Sequence, residues 1–195
     1  VSAEVLPTGM VCFTANQGFY LGELPAGTSG RVQTLADTVE RAGIVVQVTP
    51  SIQALEWSKY VAWVCAMATA VLTRLEGYQI LQDPQMASIT AAMLHEMTQI
   101  ATARGLTLVD MALLPTKTLS ERSVDDTVAA LRHLGEQRAA RMPHRKISAL
   151  QDLEQGKRLE VEETLGYAVQ QGAAMGIPMP TMEVCYKLIA GINHY

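Results

Sequence analysis

The sequence is short of charged residues and of aromatic rings. Asp, Glu, Lys and Arg make up 17% of its 195 residues, against about 25% in an average globular chain. Hydrophobic residues make up 49%, which is the opposite of a disordered composition. The chain is therefore expected to fold and to cover part of its surface with another domain or partner. With 15 basic and 19 acidic residues, its net charge of −4 argues against nucleic-acid binding, which typically needs a basic stripe.

Cysteine is scarce too, and the few present are not spaced for a metal or a disulfide framework. The three cysteines are Cys12, Cys65 and Cys185. An odd number without a C-x-x-C pair predicts neither a disulfide framework nor a zinc site, and Cys65 is expected to be a small buried hydrophobic residue. His95 and Glu96 begin like the zinc-protease motif H-E-x-x-H, but Gln99 stands where the second histidine belongs. We therefore interpret this segment as a solvated helix face and predict no metal.

No membrane-spanning run and no targeting segment is evident. The apolar run 60–73 has 14 residues, whereas a bilayer span needs about 20, so this run predicts a buried core helix. No charged, apolar and small-residue signal peptide opens the chain. We expect a soluble, cytoplasmic protein without membrane contact. Because the sequence begins with Val1 and not with Met, it is expected to be processed or to be part of a longer chain.

The first fifty residues have the pattern of an α/β segment. The β-prone runs 10–14 and 19–23 flank Asn16-Gln17-Gly18, which is a hairpin-like signal. Apolar residues at helical spacing follow over 32–42, and 44–48 is typical of a strand. This order is typical of the end of a sheet domain, and fifty residues are too few to bury a core of their own. The dinucleotide-binding pattern G-x-G-x-x-G occurs nowhere in the chain.

From residue 51 onward the pattern is helical. Apolar residues recur at helical spacing between caps such as Asp83-Pro84 and stops such as Gly105. Helices are predicted over about 52–75, 84–104, 124–141, 148–155, 161–175 and from 181. We therefore divide the chain into an α/β segment, 1–50, and a helical domain, 51–195.

Three polar residues in the helical part are candidates for chemistry. Lys59 lies in an apolar helix, with Trp63 and Met67 four and eight residues further on. Such a lysine either extends its ammonium into water or is partly desolvated, with a lowered pKa suited to a general acid. Ser148 is placed either to cap a helix or to bind a ligand, and Glu160 either to favour a helix N-terminus or to bind one. Spacing alone leaves both interpretations open for each.

The segment around Ser148 and Glu160 resembles a signature of the ketopantoate reductases (2-dehydropantoate 2-reductases). That signature has Ser-x-Leu-Gln-Asp, matched by 148–152, then a Gly-Arg-like turn, matched by 156–158, and then Thr-Glu-Ile-Asp, similar to 159–162. The family element Leu-Trp-x-Lys resembles 55–59, and Ile-Gly-Glu resembles 21–23. Gly166 matches a later family glycine, and 176–180 matches Gly-Ile-x-x-Pro. The resemblance covers essentially the whole chain.

The resemblance implies a fold and an activity. The fold is mainly α, with a C-terminal helical domain like that of 6-phosphogluconate dehydrogenase, preceded here by a short α/β remnant of a Rossmann domain. In the family the N-terminal Rossmann domain holds NADPH, and a hydride reduces a 2-oxo acid to a 2-hydroxy acid in pantothenate biosynthesis. By resemblance, Lys59 would protonate the developing alkoxide, Ser148 would hold the substrate carboxylate and Glu160 would position the substrate hydroxyl. A homodimer is also implied.

Two positions depart from the family pattern. Family members carry asparagines four and eight residues after the lysine, where this chain has Trp63 and Met67. Losing two amides that pair with a polar substrate group changes discrimination strongly. A more apolar 2-oxo acid or an inactive paralogue is the implied outcome, and Trp63 and Met67 become candidate substrate-lining residues.

A different class of function stays open beside the reductase. Low charge and ten methionines also suit a non-catalytic helical interaction or dimerisation module, since Met tolerates irregular contacts. A third possibility is a protein that binds the cofactor without turnover. Because it lacks the nucleotide-binding fingerprint, this chain alone is expected to be inactive.

Overall fold

A computed structural model of the chain describes residues 2–5, 8–16, 18–111, 115–141 and 146–193. The backbone divides into two compact units, Val1–Glu56 and Trp57–Tyr195. The first contains strands and one helix, and the second is helical. This confirms the expected fold class of a helical domain that follows a short α/β segment.

The described residues of the first unit form four short strands and one complete helix, followed by the beginning of a second helix. Strand β1 (Ser2–Val5) pairs antiparallel with β2 (Val11–Ala15). Strand β3 (Phe19–Leu21) pairs in parallel with β4 (Val46–Val48), and helix α1 (Gly30–Arg41) connects them. A parallel pair joined by a crossover helix is a βαβ unit, which is the repeating unit of doubly wound sheets.

The hairpin expected around Asn16 is wrong, because the strand on each side pairs elsewhere. The Asn16 side chain donates a hydrogen bond to the Gly43 carbonyl at 2.9 Å and accepts one from the Val45 N–H at 2.8 Å. This amide therefore anchors the approach to β4, and it does not turn the chain back on itself.

Glycine is required where β3 ends. A Cβ at Gly22 would lie 2.4 Å from the Thr49 carbonyl oxygen and 2.8 Å from the Ile52 Cβ. The next residue, Glu23, receives hydrogen bonds from the Arg31 guanidinium and the Ser29 hydroxyl, which lower the pKa of its carboxyl to about 2. These contacts fix the turn between β3 and α1.

The second unit is built from helices, and α2 begins just before it. The described helices after β4 are α2 (Ile52–Thr73), α3 (Gly77–Gln82), α4 (Pro84–Ala103), α5 (Thr116–Ser120), α6 (Val124–Arg141), α7 (Ser148–Glu154), a π-helical turn π1 (Glu162–Gly166) that continues into α8 (Tyr167–Met175), and α9 (Pro180–Ile192). All six predicted helices are present. Helices α3 and α5 were not predicted, since six and five residues are too short to show a helical period.

Helix α2 lies at the centre of the helical core. Val61, Val64 and Ala68 have no exposed surface, and they pack with Met93 and Met97 of α4. This confirms the prediction that the apolar run is a buried core helix. Cys65 is also buried, as predicted, and burial raises the pKa of its thiol. In the described parts of the chain, no helix is long and apolar enough to cross a membrane.

The expected solvated face at His95 and Glu96 is wrong, because both side chains make contacts between helices. The Glu96 carboxylate is buried and accepts hydrogen bonds from the Thr181 and Met182 backbone N–H groups, each at 2.9 Å. His95 Nε2 lies 3.1 Å from the Thr127 hydroxyl oxygen. Within the described ranges, no group of three His, Cys, Asp or Glu side chains could hold a metal.

Candidate functional site

Lys59 lies in the second turn of α2 and its side chain is exposed. Within the part of the chain that the structure describes, its ammonium has neither an ion pair nor a hydrogen bond. Of the two interpretations of this lysine, an ammonium that extends into water fits its exposed side chain. Its ammonium is therefore accessible to a ligand, although the helix that carries it is anchored in the core.

Burial increases along the row of side chains that begins at Lys59. Trp63 is half-buried, whereas Met67 is 1% exposed. The Met67 sulfur lies 3.5 Å from the Thr164 hydroxyl oxygen inside the core. Eight residues of α-helix rotate about 80° beyond whole turns, so Met67 has turned away from the face that carries Lys59. Met67 is therefore a core residue among the described residues, and its place in the substrate site stays a prediction.

Ser148 is the first residue of α7, and its side chain is exposed. The N-cap of α7 is Ile147, and no side chain caps this helix. The interpretation of Ser148 as a helix cap is therefore not what the structure shows. Among the described residues its hydroxyl has no hydrogen-bond partner, so it is available to a ligand.

Glu160 lies in the segment before π1, and its carboxylate is exposed. The backbone on either side of it is anchored. The Asn193 side chain accepts from the Leu159 N–H at 2.8 Å and donates to the Leu159 carbonyl at 3.2 Å, while Val161 is 1% exposed. The acidic residues of the first helical turn are Glu162 and Glu163, so Glu160 is not one of the carboxylates that favour this helix end.

Two residues that the sequence analysis missed connect α2 to the Glu160 segment. The Tyr60 hydroxyl donates to the Thr164 carbonyl at 2.7 Å, and the Thr164 hydroxyl donates to the Glu160 carbonyl. The structure thus joins the turn that carries Lys59 to the segment that carries Glu160. Among the described residues, no hydrogen bond joins the Ser148 side chain to either of these segments. The only signal in the sequence was a tyrosine directly after Lys59.

Aromatic rings surround Tyr60. The Trp57 ring meets Tyr60 edge-on at 5.6 Å, and Tyr167 packs on its other side at 6.1 Å. The Arg104 guanidinium lies 4.8 Å above the Trp57 ring and donates to the Gln171 side chain at 2.7 Å. Burial raises the pKa of Tyr60, so its hydroxyl remains a hydrogen-bond donor.

An open groove of about 430 Å³ lies between α5 and α6. Its lining includes Leu119, His133 and Leu134. None of the site residues predicted from the sequence lines it. This groove is therefore separate from the cluster at Tyr60.

In the described residues an α/β segment precedes a helical domain, and Lys59, Ser148 and Glu160 are exposed on the helical part. Residues 51–193 match the family model described as ketopantoate reductase PanE/ApbA C terminal. The chain belongs to the ketopantoate reductase family, of which it contains the C-terminal domain.

Individual relatives agree with this assignment. The 2-dehydropantoate 2-reductase of Archaeoglobus fulgidus is 24% identical over 191 residues, which are 98% of this chain and 58% of the relative. The chain therefore spans little more than half the length of that protein.

Two solved structures are similar over nearly the whole chain. The 2-dehydropantoate 2-reductase of Methylococcus capsulatus superposes with a TM-score of 0.73 at 30% identity and covers 97% of this chain, which spans 55% of that one. D-mandelate dehydrogenase in complex with NADH has a TM-score of 0.78 at 14% identity and covers 99% of this chain, which spans 60% of that one. The second likeness shows the fold alone.

Proposed function

We propose that this chain is the substrate-binding part of an NADPH-dependent reductase that converts a 2-oxo acid to a 2-hydroxy acid. Family membership over 51–193 supports the reaction class. One observation carries the proposal. Lys59 is exposed and has no partner among the described residues, and its helix is joined to the segment of Glu160 by the hydrogen bonds of Tyr60 and Thr164.

NADPH would be bound mainly by an N-terminal nucleotide-binding domain, and when bound it supplies the hydride. The described residues of the first unit form one βαβ unit without a glycine-rich phosphate loop. These residues do not suffice to hold a dinucleotide, so this chain alone would be inactive. Its own contribution is to bind and orient the substrate.

In the proposed mechanism Lys59 protonates the oxygen of the keto group as negative charge develops there. A cation fixed on a rigid helix stabilises that charge more in the transition state than in the ground state. Ser148 would donate its hydroxyl hydrogen bond to the substrate carboxylate. Glu160 would accept a hydrogen bond from the substrate and fix its orientation.

The substrate is proposed to be more apolar than ketopantoate. Trp63, which stands where the family pattern that this chain resembles has an asparagine, is half-buried one turn beyond Lys59. An indole ring there favours a hydrocarbon group and cannot replace both hydrogen bonds of an amide. Since Met67 is in the core, we assign this preference to Trp63 alone.

The test is the NADPH-dependent reduction of two 2-oxo acids by the longer protein that contains this chain. Ketopantoate differs from 3,3-dimethyl-2-oxobutanoate only by the hydroxyl on its terminal carbon. We expect kcat/KM to be at least about tenfold higher for the second acid, a typical effect of one group in an apolar pocket. Trp63→Asn should reverse the preference, and Trp63→Phe, which keeps an apolar ring, should retain it.

Two outcomes would contradict this function. If NADPH binds but no 2-oxo acid is reduced, the protein binds the cofactor without turnover. If neither NADPH nor a 2-oxo acid binds, the helical interaction module is the better description.

The assembly proposed for the longer protein is a homodimer. On α9, Val184, Leu188 and Ile192 follow one another at helical spacing and are 58%, 54% and 40% exposed. An exposed apolar stripe of this kind suits contact with a second copy. Sedimentation of the protein used in the assay measures its assembly. The cytoplasmic location and the pantothenate pathway stay predictions.

A further inference from the structure

We propose that Tyr60 and Thr164 are positioning residues that hold the Glu160 segment in register with Lys59. This inference rests on the proposed function, since it assigns those two side chains to the same substrate. It adds two residues that neither the sequence motifs nor the family resemblance identified.

A hydrogen bond connects α2 to π1. The Tyr60 hydroxyl and the Thr164 carbonyl oxygen are 2.7 Å apart, and 104 residues of chain separate the two positions. Tyr60 directly follows Lys59, so this hydrogen bond originates in the same helical turn as the proposed acid. Edge-on contact with Trp57 and packing by Tyr167 fix the Tyr60 ring. The bond therefore has a defined direction as well as a length.

A second hydrogen bond lies within the Glu160 segment. The Thr164 hydroxyl donates to the Glu160 carbonyl and also lies 3.5 Å from the Met67 sulfur of α2. Thr164 thus touches α2 through both its carbonyl and its side chain. Displacing it would move the backbone of Glu160, because the two residues share a hydrogen bond.

The backbone that carries Thr164 forms a π-helical turn. The Gly166 N–H bonds to the Val161 carbonyl at 2.9 Å, five residues back, which makes π1 a wide turn. A Cβ at Gly166 would lie 2.8 Å from Glu162 Oε2 and 3.2 Å from Tyr186 Cε2, so the turn fits closely against α9. π-Helical turns are rare and are frequent at functional sites. Here the turn presents the Thr164 carbonyl to Tyr60.

The side chains of Lys59 and Glu160 are not bonded to each other. Lys59 and Glu160 are both exposed, and within the described ranges they share neither an ion pair nor a hydrogen bond. Their separation is therefore set by the backbones that carry them. The Tyr60–Thr164–Glu160 hydrogen bonds connect those backbones directly, in addition to the packing of buried Val161 and Leu165 in the same core cluster as α2.

The test uses the longer protein with the variants Tyr60→Phe and Thr164→Val, each of which removes one hydroxyl at nearly constant shape. We expect kcat to fall about tenfold, because misplacement by about 1 Å costs up to about 10²-fold, while KM changes less than about twofold. Amide hydrogen exchange over 160–166 should accelerate in both variants. Thr164→Ser, which keeps the hydroxyl, should restore kcat and slow exchange.

Tyr167→Phe is the matched control, since it removes a tyrosine hydroxyl from the neighbouring ring and leaves the Tyr60 bond intact. It should change neither kcat nor exchange. An unchanged kcat in Tyr60→Phe and Thr164→Val, with the wild type active, would overturn the positioning role and leave the proposed function standing. An equal loss of kcat and of thermal stability in all variants, the control included, would show a structural role only. A wild type that reduces no 2-oxo acid would disprove the proposed function itself, and the positioning role with it.

Discussion

At the scale of single residues, packing decides the protonation of His95. The Thr127 hydroxyl donates to the Leu119 carbonyl at 3.0 Å and to the Ser123 carbonyl at 2.8 Å. Its oxygen is therefore left to accept a hydrogen bond from His95 Nε2, 3.1 Å away. Desolvation lowers the pKa of His95, because burial disfavours the charged imidazolium.

This contact predicts a pH dependence of stability. The unfolded chain binds a proton on His95 near pH 6.5, whereas the folded chain binds it only at lower pH. The stabilising contribution is therefore complete above pH 6.5 and is lost as the pH falls through this value towards the lower folded pKa. Urea unfolding should give a smaller free energy of unfolding at pH 5 than at pH 7.5.

His95→Gln should flatten this dependence, because glutamine donates a hydrogen bond without titrating. Gln99→Asn serves as the control, since Gln99 is exposed on the same helix and neither amide carries a titratable group. An unaltered slope in His95→Gln would mean that other groups cause the pH dependence.

The sequence identified candidate site residues where a short motif carries them, and their roles stay predictions. Ser148 and Glu160 stand in one continuous segment that resembles the family signature, and the structure leaves both side chains exposed. The depth of Met67 was not predictable in the same way. Its burial depends on Thr164, which is 97 residues away in the chain, and no local pattern shows such a contact.

At the scale of elements, the beginning of α9 depends on a carboxylate from another helix. Glu96 of α4 accepts two backbone hydrogen bonds at 2.9 Å each, from Thr181 and Met182. The first N–H groups of a helix have no partner within it, and no side chain of α9 itself caps it. Glu96 thus fixes where α9 begins and how it packs on α4.

Removing this cap should destabilise the helical unit. Glu96→Ala leaves a buried N–H group, that of Met182, and a partly buried one, that of Thr181, unpaired, and a buried unpaired group costs about 1–3 kcal/mol. We expect the free energy of unfolding to fall by about 2–4 kcal/mol, measured by chemical denaturation. Glu96→Gln, which keeps one acceptor oxygen, should lose less.

The control is Glu183→Ala, which removes an exposed carboxylate of α9 that pairs with Lys187. Surface pairs of this kind contribute about 0–1 kcal/mol. A loss in Glu96→Ala no larger than in this control would contradict the capping role.

Elements were predictable from the sequence where a helical period ran for several turns, as in α2, α4 and α6. Strand pairing was not. The expected hairpin at Asn16 failed because hairpin signals describe two neighbouring strands, whereas β2 pairs with β1 and β3 pairs with the distant β4. The side chain of Asn16 serves that longer connection.

At the scale of the whole molecule, the chain combines a βαβ unit with a helical domain of the ketopantoate reductase family. The family could be inferred from the motifs because they extend over both parts. How the helical domain meets a substrate or a nucleotide-binding domain was not predictable, since no local sequence pattern specifies such contacts. The proposed chemistry therefore depends on what Lys59 does in the longer protein.

The most direct measurement is the rate at which a Lys59→Met variant of the longer protein reduces a saturating 2-oxo acid, with Lys187→Met as the control. Both lysines are exposed on helices, but Lys187 lies on α9 and pairs with Glu183. Loss of a general acid costs about 10²–10⁴-fold, so kcat should fall at least about 100-fold in Lys59→Met and stay unchanged in Lys187→Met. A Lys59→Met protein that retains the wild-type kcat would contradict the proposed catalytic role.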